Sequence, residues 1–268
     1  ELWVPSMPPA VKTDMFAALT QEELGAFISS SKGREKAGVK IRVMEQADIA
    51  QMIEWFAAAA ERAQRAGFDG VELHAAHNYI IAGFLSGYYN RRDDEYGGDI
   101  LRRTGFAFEL VKAISAEVGP DFPILFRISQ WKLQDYEAKL AETPEELGVI
   151  VEALAAAGVD IFDVSTRVFS VPALAGSDMG LAGWVRKLSG KPTMTVGGIG
   201  FDKELAASFA QPTHAIDNLG EVLRRFEGGE FDLVALGRAL LMDPAWVLKA
   251  QAGMPFEPFD ITAYGRLD

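Results

Sequence analysis

The chain has 268 residues, 49% hydrophobic and 24% charged, which gives enough apolar material for a core and length for one large domain or two small ones. Its formal charge of −12 argues against a basic nucleic-acid surface and against an anionic membrane partner. With no cysteine, disulfides and thiolate metal or iron–sulfur sites are excluded; no apolar run reaches the ~20 residues of a membrane helix and no signal peptide is visible, so the default location is cytoplasmic.

Residues 1–45 read as an extended loop and hairpin segment. "ELWVPSMPPAVKTD" is a proline-containing loop, "SSSKGREKAG" a polar loop, and "VKIRVM" a short alternating strand of a surface hairpin. From residue 46 the pattern changes. Ile49, Met52, Ile53, Phe56, Ala60 and Ala63 recur at helical spacing over 46–66, and Gly67 ends the run. A strand follows in "FDGVELH", then a helix near 101–118, a strand in "FPILFRIS", a helix near 144–157 and a strand in "DIFDVS". Next come a helix near 178–189, a strand in "PTMTVGG", helical stretches between 201 and 228, a strand in "FDLVALG" and a helix near 239–251. Residues 252–268 form a C-terminal tail.

These strands are near-continuous apolar runs, the pattern of a parallel sheet covered by helices. "AGFDGVE", "AGVDIFD" and "GGEFDLV" open three units alike. That regular alternation over 46–251 points to an α/β protein of the (β/α)8 barrel type rather than a doubly wound sheet. No GxGxxG follows a first strand, which disfavours a dinucleotide-binding fold. Five strands are expected, near 69–74, 123–128, 160–164, 193–197 and 231–236, where a closed barrel has eight.

In such barrels the chemistry sits where strands end. "GVELHAAHNYIIAGF" places His74, His77 and Tyr79 at one strand end, with two of the chain's three histidines in it. On a continuing strand a three-residue gap puts the two rings on opposite faces; a helical turn after His74 would bring them to one side. Two converging imidazole N–H groups can clamp a carbonyl oxygen or a small anion. Two structurally satisfied histidines fit the spacing equally well. A metal is disfavoured, since there is no HExxH and His214 is remote. Tyr79 suits a proton donor, or a core tyrosine. Arg127 ends "ILFRIS" at the same mouth, where a buried guanidinium needs an anion or an ion pair. "TVGGIG" brings Gly197 and Gly198, and "LGRALLMDP" brings Gly237 and Arg238, to the last two strand ends, the recurrent phosphate site of these barrels. The acids of "YNRRDDEYGGDILRR" read as a solvated loop with local arginine pairing.

Together these residues resemble the old yellow enzyme family of flavin-dependent oxidoreductases. The resemblance covers about residues 45–250 and is densest in "AGFDGVELHAAHNYIIAGFLSGYYNRRDDEYGGDILRR", with "FRIS", "VGGI" and "LVALGRALLMDP" at matching places. It implies a (β/α)8 barrel holding FMN at the strand C-termini. His74 and His77 would bind the carbonyl oxygen of an α,β-unsaturated substrate, and Tyr79 would be the proton donor. Arg127 would lie beside the flavin pyrimidine, while Gly197, Gly198, Gly237 and Arg238 would hold the FMN phosphate. NADH or NADPH would be the reductant. The Tyr264–Gly265–Arg266 tail is similar to that of a subgroup in which a terminal arginine reaches a neighbouring subunit. Asn78 stands where the family usually has glycine, and "SGYYN" replaces a commoner "SPxxN". The family's first three barrel strands have no counterpart here.

The implied activity is reduction of the C=C bond of enones. A non-catalytic partial barrel completed by a separate N-terminal piece, or a non-redox phosphate-binding barrel, are the alternatives. A further segment of roughly a hundred residues, by the ~30-residue βα unit, is expected on this polypeptide or another; the protein partner is such an N-terminal segment or a second copy of the chain, as a homo-oligomer.

Overall fold

The computed structural model describes residues 2–7, 40–132, 138–205 and 207–265. The polar loop at 29–38 and the tail arginine, Arg266, lie outside the described residues.

Five parallel strands run in simple sequence order, β3–β4–β5–β6–β7: β3 Val71–His77, β4 Ile124–Lys132, β5 Ile161–Ser165, β6 Thr193–Val196 and β7 Leu233–Val234. Each lies on one of the five stretches expected from the sequence. The register pairs Leu73 with Phe126, and Phe126 in turn with Phe162. One sheet face therefore presents Leu73, Phe126 and Phe162 to the core, all buried.

Helices cover that face, and local chemistry sets their ends. Helix α1, Gln46–Arg65, begins where the Asp48 carboxylate accepts the Glu45 N–H at 3.0 Å, and it stops before Gly67 at φ +88°. Helix α2, Ile80–Leu85, was not anticipated from the sequence. Helix α3, Ile100–Val118, is capped by Asp99, whose side chain accepts the Arg102 N–H at 3.0 Å. Helix α4, Pro144–Ala157, has Thr143 accepting from Glu146 N–H and proline in its first turn. Helix α5 is Leu181–Ser189. Beyond it the expected helical stretches are α6, Ala207–Ala210, and α7, Leu219–Glu227. The last expected helix is two, α8 Arg238–Met242 and α9 Trp246–Ala252. Between them Asp243 takes the Ala245 N–H at 3.0 Å and an ion pair from Lys249 at 2.8 Å, and Pro244 follows it.

The segment before residue 45 differs from its sequence reading. Ile41–Val43 is a strand, β2, but its partner is β1, Leu2–Val4, and the pairing is parallel, Leu2 with Ile41 and Val4 with Val43. A hairpin arm would be antiparallel. Trp3 on β1 packs on Trp55 of α1 at 5.5 Å, which docks the pair onto the first helix.

The opposite face of the five-stranded sheet is not a second apolar layer. Glu72 and His74 on β3, Arg127 on β4, and Asp163 and Ser165 on β5 alternate with the core residues and share that face.

Candidate active site

The strand β3 continues through both histidines, so regular alternation would separate them. A bulge intervenes: the register with β4 shifts between Ala75 and His77. His77 and Asn78 then adopt φ of 60° and 69°, the left-handed region. The two rings end edge to face with centroids 5.3 Å apart and planes at 85°. Convergence is thus achieved by a bulge and a left-handed turn, not by the helical turn considered from the sequence. The His77 N–H donates to Ser129 Oγ at 3.1 Å, and Tyr79 N–H to Ala76 O at 3.1 Å, which pins the turn.

His77 Nε2 lies 2.8 Å from Ser165 Oγ, and its ring stacks on Trp131 at 4.3 Å. His74 Nδ1 accepts the Ala76 N–H at 3.3 Å, so its neutral ring carries the proton on Nε2. Burial holds the His77 imidazole down to about 4, with the neighbouring His74 and then Arg127 adding to the effect. Burial and Arg127 also lower His74. Both rings are therefore neutral near pH 7 and able to donate without competing positive charges. Tyr79, half exposed, sets its ring 4.6 Å from that of His74 and leads directly into α2.

The glycine ends work through the backbone. Gly197 has φ +131°, and a Cβ there would sit 2.1 Å from the Thr166 carbonyl oxygen. Its smallness lets the loop after β6 press against the loop after β5, where Phe169 N–H donates to Gly197 O at 2.9 Å. Gly198 also has positive φ, +70°. At Gly237 nothing lies within 4 Å of an added Cβ, so that backbone faces open space. Arg238 beside it donates from Nη2 to Lys203 O at 2.7 Å and lies over the Phe201 ring at 4.8 Å.

One cavity of about 350 Å³ is lined by His74, His77, Tyr79, Arg127, Gly197, Gly198, Gly237 and Arg238 together, every site residue expected from the sequence. That volume lies in the range of small-molecule sites, roughly 300–1,000 Å³. Sequence reading missed Trp131, Ser165, Thr166 and Glu204 in the same wall. Ser165 had a usable signal: it ends β5 as His74 ends its apolar run on β3. The acids at 93–95 stand apart from the cavity lining. Arg92 pairs with Asp94, the local arginine pairing expected of the loop, whereas Glu95 accepts from Gln46 of α1 at 2.8 Å, a partner distant in sequence.

Comparisons with known proteins place the whole chain. Residues 12–257 match the model of the NADH:flavin oxidoreductase / NADH oxidase family. The chain is 36% identical over 224 residues to an NADH oxidase of Thermoanaerobacter brockii, covering 81% of this chain and 31% of that protein. It is 34% identical over 206 residues to an NADPH dehydrogenase of Clostridium acetobutylicum, covering 76% and 55% respectively. Among solved structures, an old yellow enzyme homologue from Zymomonas mobilis superposes with a TM-score of 0.69 at 18% identity, covering 98% of this chain and 64% of that one. A morphinone reductase bound to tetrahydroNAD gives 0.66 at 24% identity, with 85% and 56% covered. The two structures bear on fold alone. The chain spans 31% to 55% of the length of the two curated relatives described.

Proposed function

The chain belongs to the NADH:flavin oxidoreductase / NADH oxidase family, the old yellow enzyme family that its motifs resemble, and from that premise we propose that its cavity binds FMN and serves NAD(P)H-dependent reduction of the C=C bond of α,β-unsaturated carbonyl compounds. The observation that carries the reading is the meeting of His74, His77, Tyr79, Arg127 and the glycine strand ends around one cavity.

The residues suit FMN in kind. Gly237 leaves room where a side chain would intrude, and Arg238 supplies a forked cation beside it for a phosphate. Arg127 would face the electron-rich end of the ring system. When bound, FMN would supply the hydride chemistry. The protein's own part is positioning and proton handling. The neutral His74, with its proton on Nε2, and the neutral His77 would donate to the carbonyl oxygen of the substrate. Their donation would strengthen as charge develops on that oxygen. The Tyr79 hydroxyl, beside His74 and open to solvent, would deliver a proton to the substrate carbon next to the carbonyl and recover one from water. Among the described residues β3 and β7 are the outer strands of the sheet, which supports the further proposal that additional strands, on this polypeptide or another, complete the flavin contacts.

The test is direct. Protein incubated with FMN and desalted should keep flavin absorbance, oxidise NADH or NADPH under anaerobic conditions only when a simple cyclic enone is added, and yield the saturated ketone. Arg238→Ala should lower FMN affinity by about 10- to 100-fold, the scale of a lost charge-assisted contact. Failure to retain flavin in wild type, or reduced flavin that an enone does not reoxidise, would overturn the reading.

A further inference from the structure

Three neighbouring strands place two carboxyl groups on one guanidinium. Arg127 on β4 sits in register with His74 of β3 on one side and with Asp163 of β5 on the other. Glu72, two residues before His74, shares their face. Arg127 Nε lies 3.3 Å from Asp163 Oδ2, and Arg127 Nη1 lies 3.8 Å from Glu72 Oε1. The Asp163 side chain is only 3% exposed, whereas Arg127 and Glu72 are 28% and 34% exposed.

We propose that Asp163 is the positioning residue of Arg127, and that Asp163 and Glu72 form with it a clamp in which the buried Asp163 carboxyl holds a proton. The guanidinium is then held at the cavity wall with its charge matched by one carboxylate, not two. This rests on the flavin reading for its purpose, though not for its geometry.

Two features of the geometry favour a proton on Asp163. With both acids ionised, the layer would carry a net negative charge with one carboxylate buried, a costly arrangement. Among the described residues, Arg127 Nε and Asp163 Oδ1 are also buried without a hydrogen-bond partner, so the guanidinium does not satisfy the buried carboxyl as a two-pronged pair would. The charged groups acting on Asp163 are Arg127 from β4 and Glu72 from β3; its neighbour on β6 is Met194. Burial pushes the Asp163 carboxyl up to about 7, Glu72 adds to the rise and Arg127 opposes it. Below neutrality the three groups carry no net charge, so a ligand at Arg127 meets no excess carboxylate. Above it, Asp163 ionises and draws the guanidinium to itself.

Infrared difference spectra of the flavin-free protein, stepped from about pH 6 to about pH 9, should lose a protonated-carboxyl stretch through neutrality. Asp163→Asn should lack that band, and Glu72→Gln should move its midpoint to lower pH. In parallel, FMN affinity of wild type should fall by about three- to tenfold over this range, the scale of one added charge beside the cation, while Asp163→Asn changes by less than about twofold beyond the titration of FMN itself. No band in wild type, or the same band in Asp163→Asn, overturns the proton on Asp163. Parallel FMN profiles in wild type and variant overturn the positioning role. If Asp163→Asn does not fold, the wild-type band and its displacement in Glu72→Gln still decide the clamp. FMN that binds at no pH overturns the flavin reading, with the infrared result standing apart from it.

Discussion

The two ends of the cavity wall are built by opposite means. At the β3 end, bulky side chains converge because the backbone beneath them is forced into unusual conformations: a bulge, then two non-glycine residues at positive φ. At the β6 and β7 ends Gly197, Gly198 and Gly237 lack side chains, and there the backbone itself forms part of the wall. One end spends conformational energy to aim functional groups; the other withholds Cβ atoms to let loops approach each other and to leave open space. The glycines are not equivalent, however. Gly197 serves the protein's own packing against Thr166, whereas Gly237 faces emptiness.

The largest expected effect separates those two glycines. Gly197→Ala puts a Cβ 2.1 Å from the Thr166 oxygen at a φ of +131°. It should destabilise by about 3 kcal/mol or more, through backbone strain and overpacking together. Gly237→Ala meets nothing within 4 Å at a φ of −102°. Its stability should stay within about 1 kcal/mol of wild type, while FMN retention falls. Urea midpoints of the two variants check this; equal losses would erase the distinction between packing glycine and ligand-facing glycine.

How far the sequence could be read follows the same division. Regular elements were legible because their signals are local. Thr143 before Pro144, Asp99 as a cap and the apolar strand runs each act within a few residues. The cavity residues were legible as types at strand ends. What was hidden depends on partners distant in sequence. The bulge at Ala75–His77 exists only relative to β4. The parallel partner of Ile41–Val43 is Leu2–Val4, which no turn signal announces. The face shared by Glu72, Arg127 and Asp163 appears only once the register is fixed. The break at Asp243 was readable, since Pro244 follows it.

The second prediction concerns the side-chain end. Tyr79→Phe removes a hydroxyl from a half-exposed ring, so folding should be unaffected. If the hydroxyl is the proton donor, oxidation of reduced enzyme by an enone should slow by roughly 10²–10⁴-fold with reduction by NAD(P)H nearly unchanged. Rapid-mixing absorbance of each half-reaction separates the two. Equal slowing of both would make Tyr79 a packing residue.

A smaller effect is expected in the pH dependence of stability. His77 is held down to about 4 in the folded protein, below its ordinary value near 6.5. The unfolded chain therefore takes up a proton first as the solution is acidified. The contribution of His77 is complete above about pH 6.5 and is lost as pH falls toward 4. Asp163 has the reverse sign: raised to about 7, it favours folding most below the ordinary carboxylate range, and that contribution is lost as pH rises through 7. His77→Gln, which keeps a polar planar group near Ser165, should flatten the acid limb of the melting temperature against pH and leave the limb around pH 7 in place. A variant that shifts the whole profile by a constant would show that His77 contributes packing alone.

The smallest effect tests the strain that aims the histidines. Asn78 occupies φ 69°, a conformation that costs most residues about 1–2 kcal/mol but is tolerated best by glycine and next by asparagine. Asparagine at the position where the family usually carries glycine is thus the non-glycine residue type that retains the turn at least cost. Asn78→Gly relieves the folded backbone yet also loosens the unfolded chain, and these contributions oppose each other. The net change in stability should lie within about 1 kcal/mol of zero, and the His74–His77 arrangement should persist. Asn78→Ala, with the same φ demand and no side chain to bond locally, should lose about 1 kcal/mol. Asn78→Val should lose more, because a β-branched residue is excluded from this region. A stability order of glycine and asparagine above alanine above valine, with affinity for a carbonyl ligand falling in the same order, would tie the convergence of the two rings to the left-handed turn. If Asn78→Val bound such a ligand as wild type does, the bulge between Ala75 and His77 alone would suffice to aim the histidines.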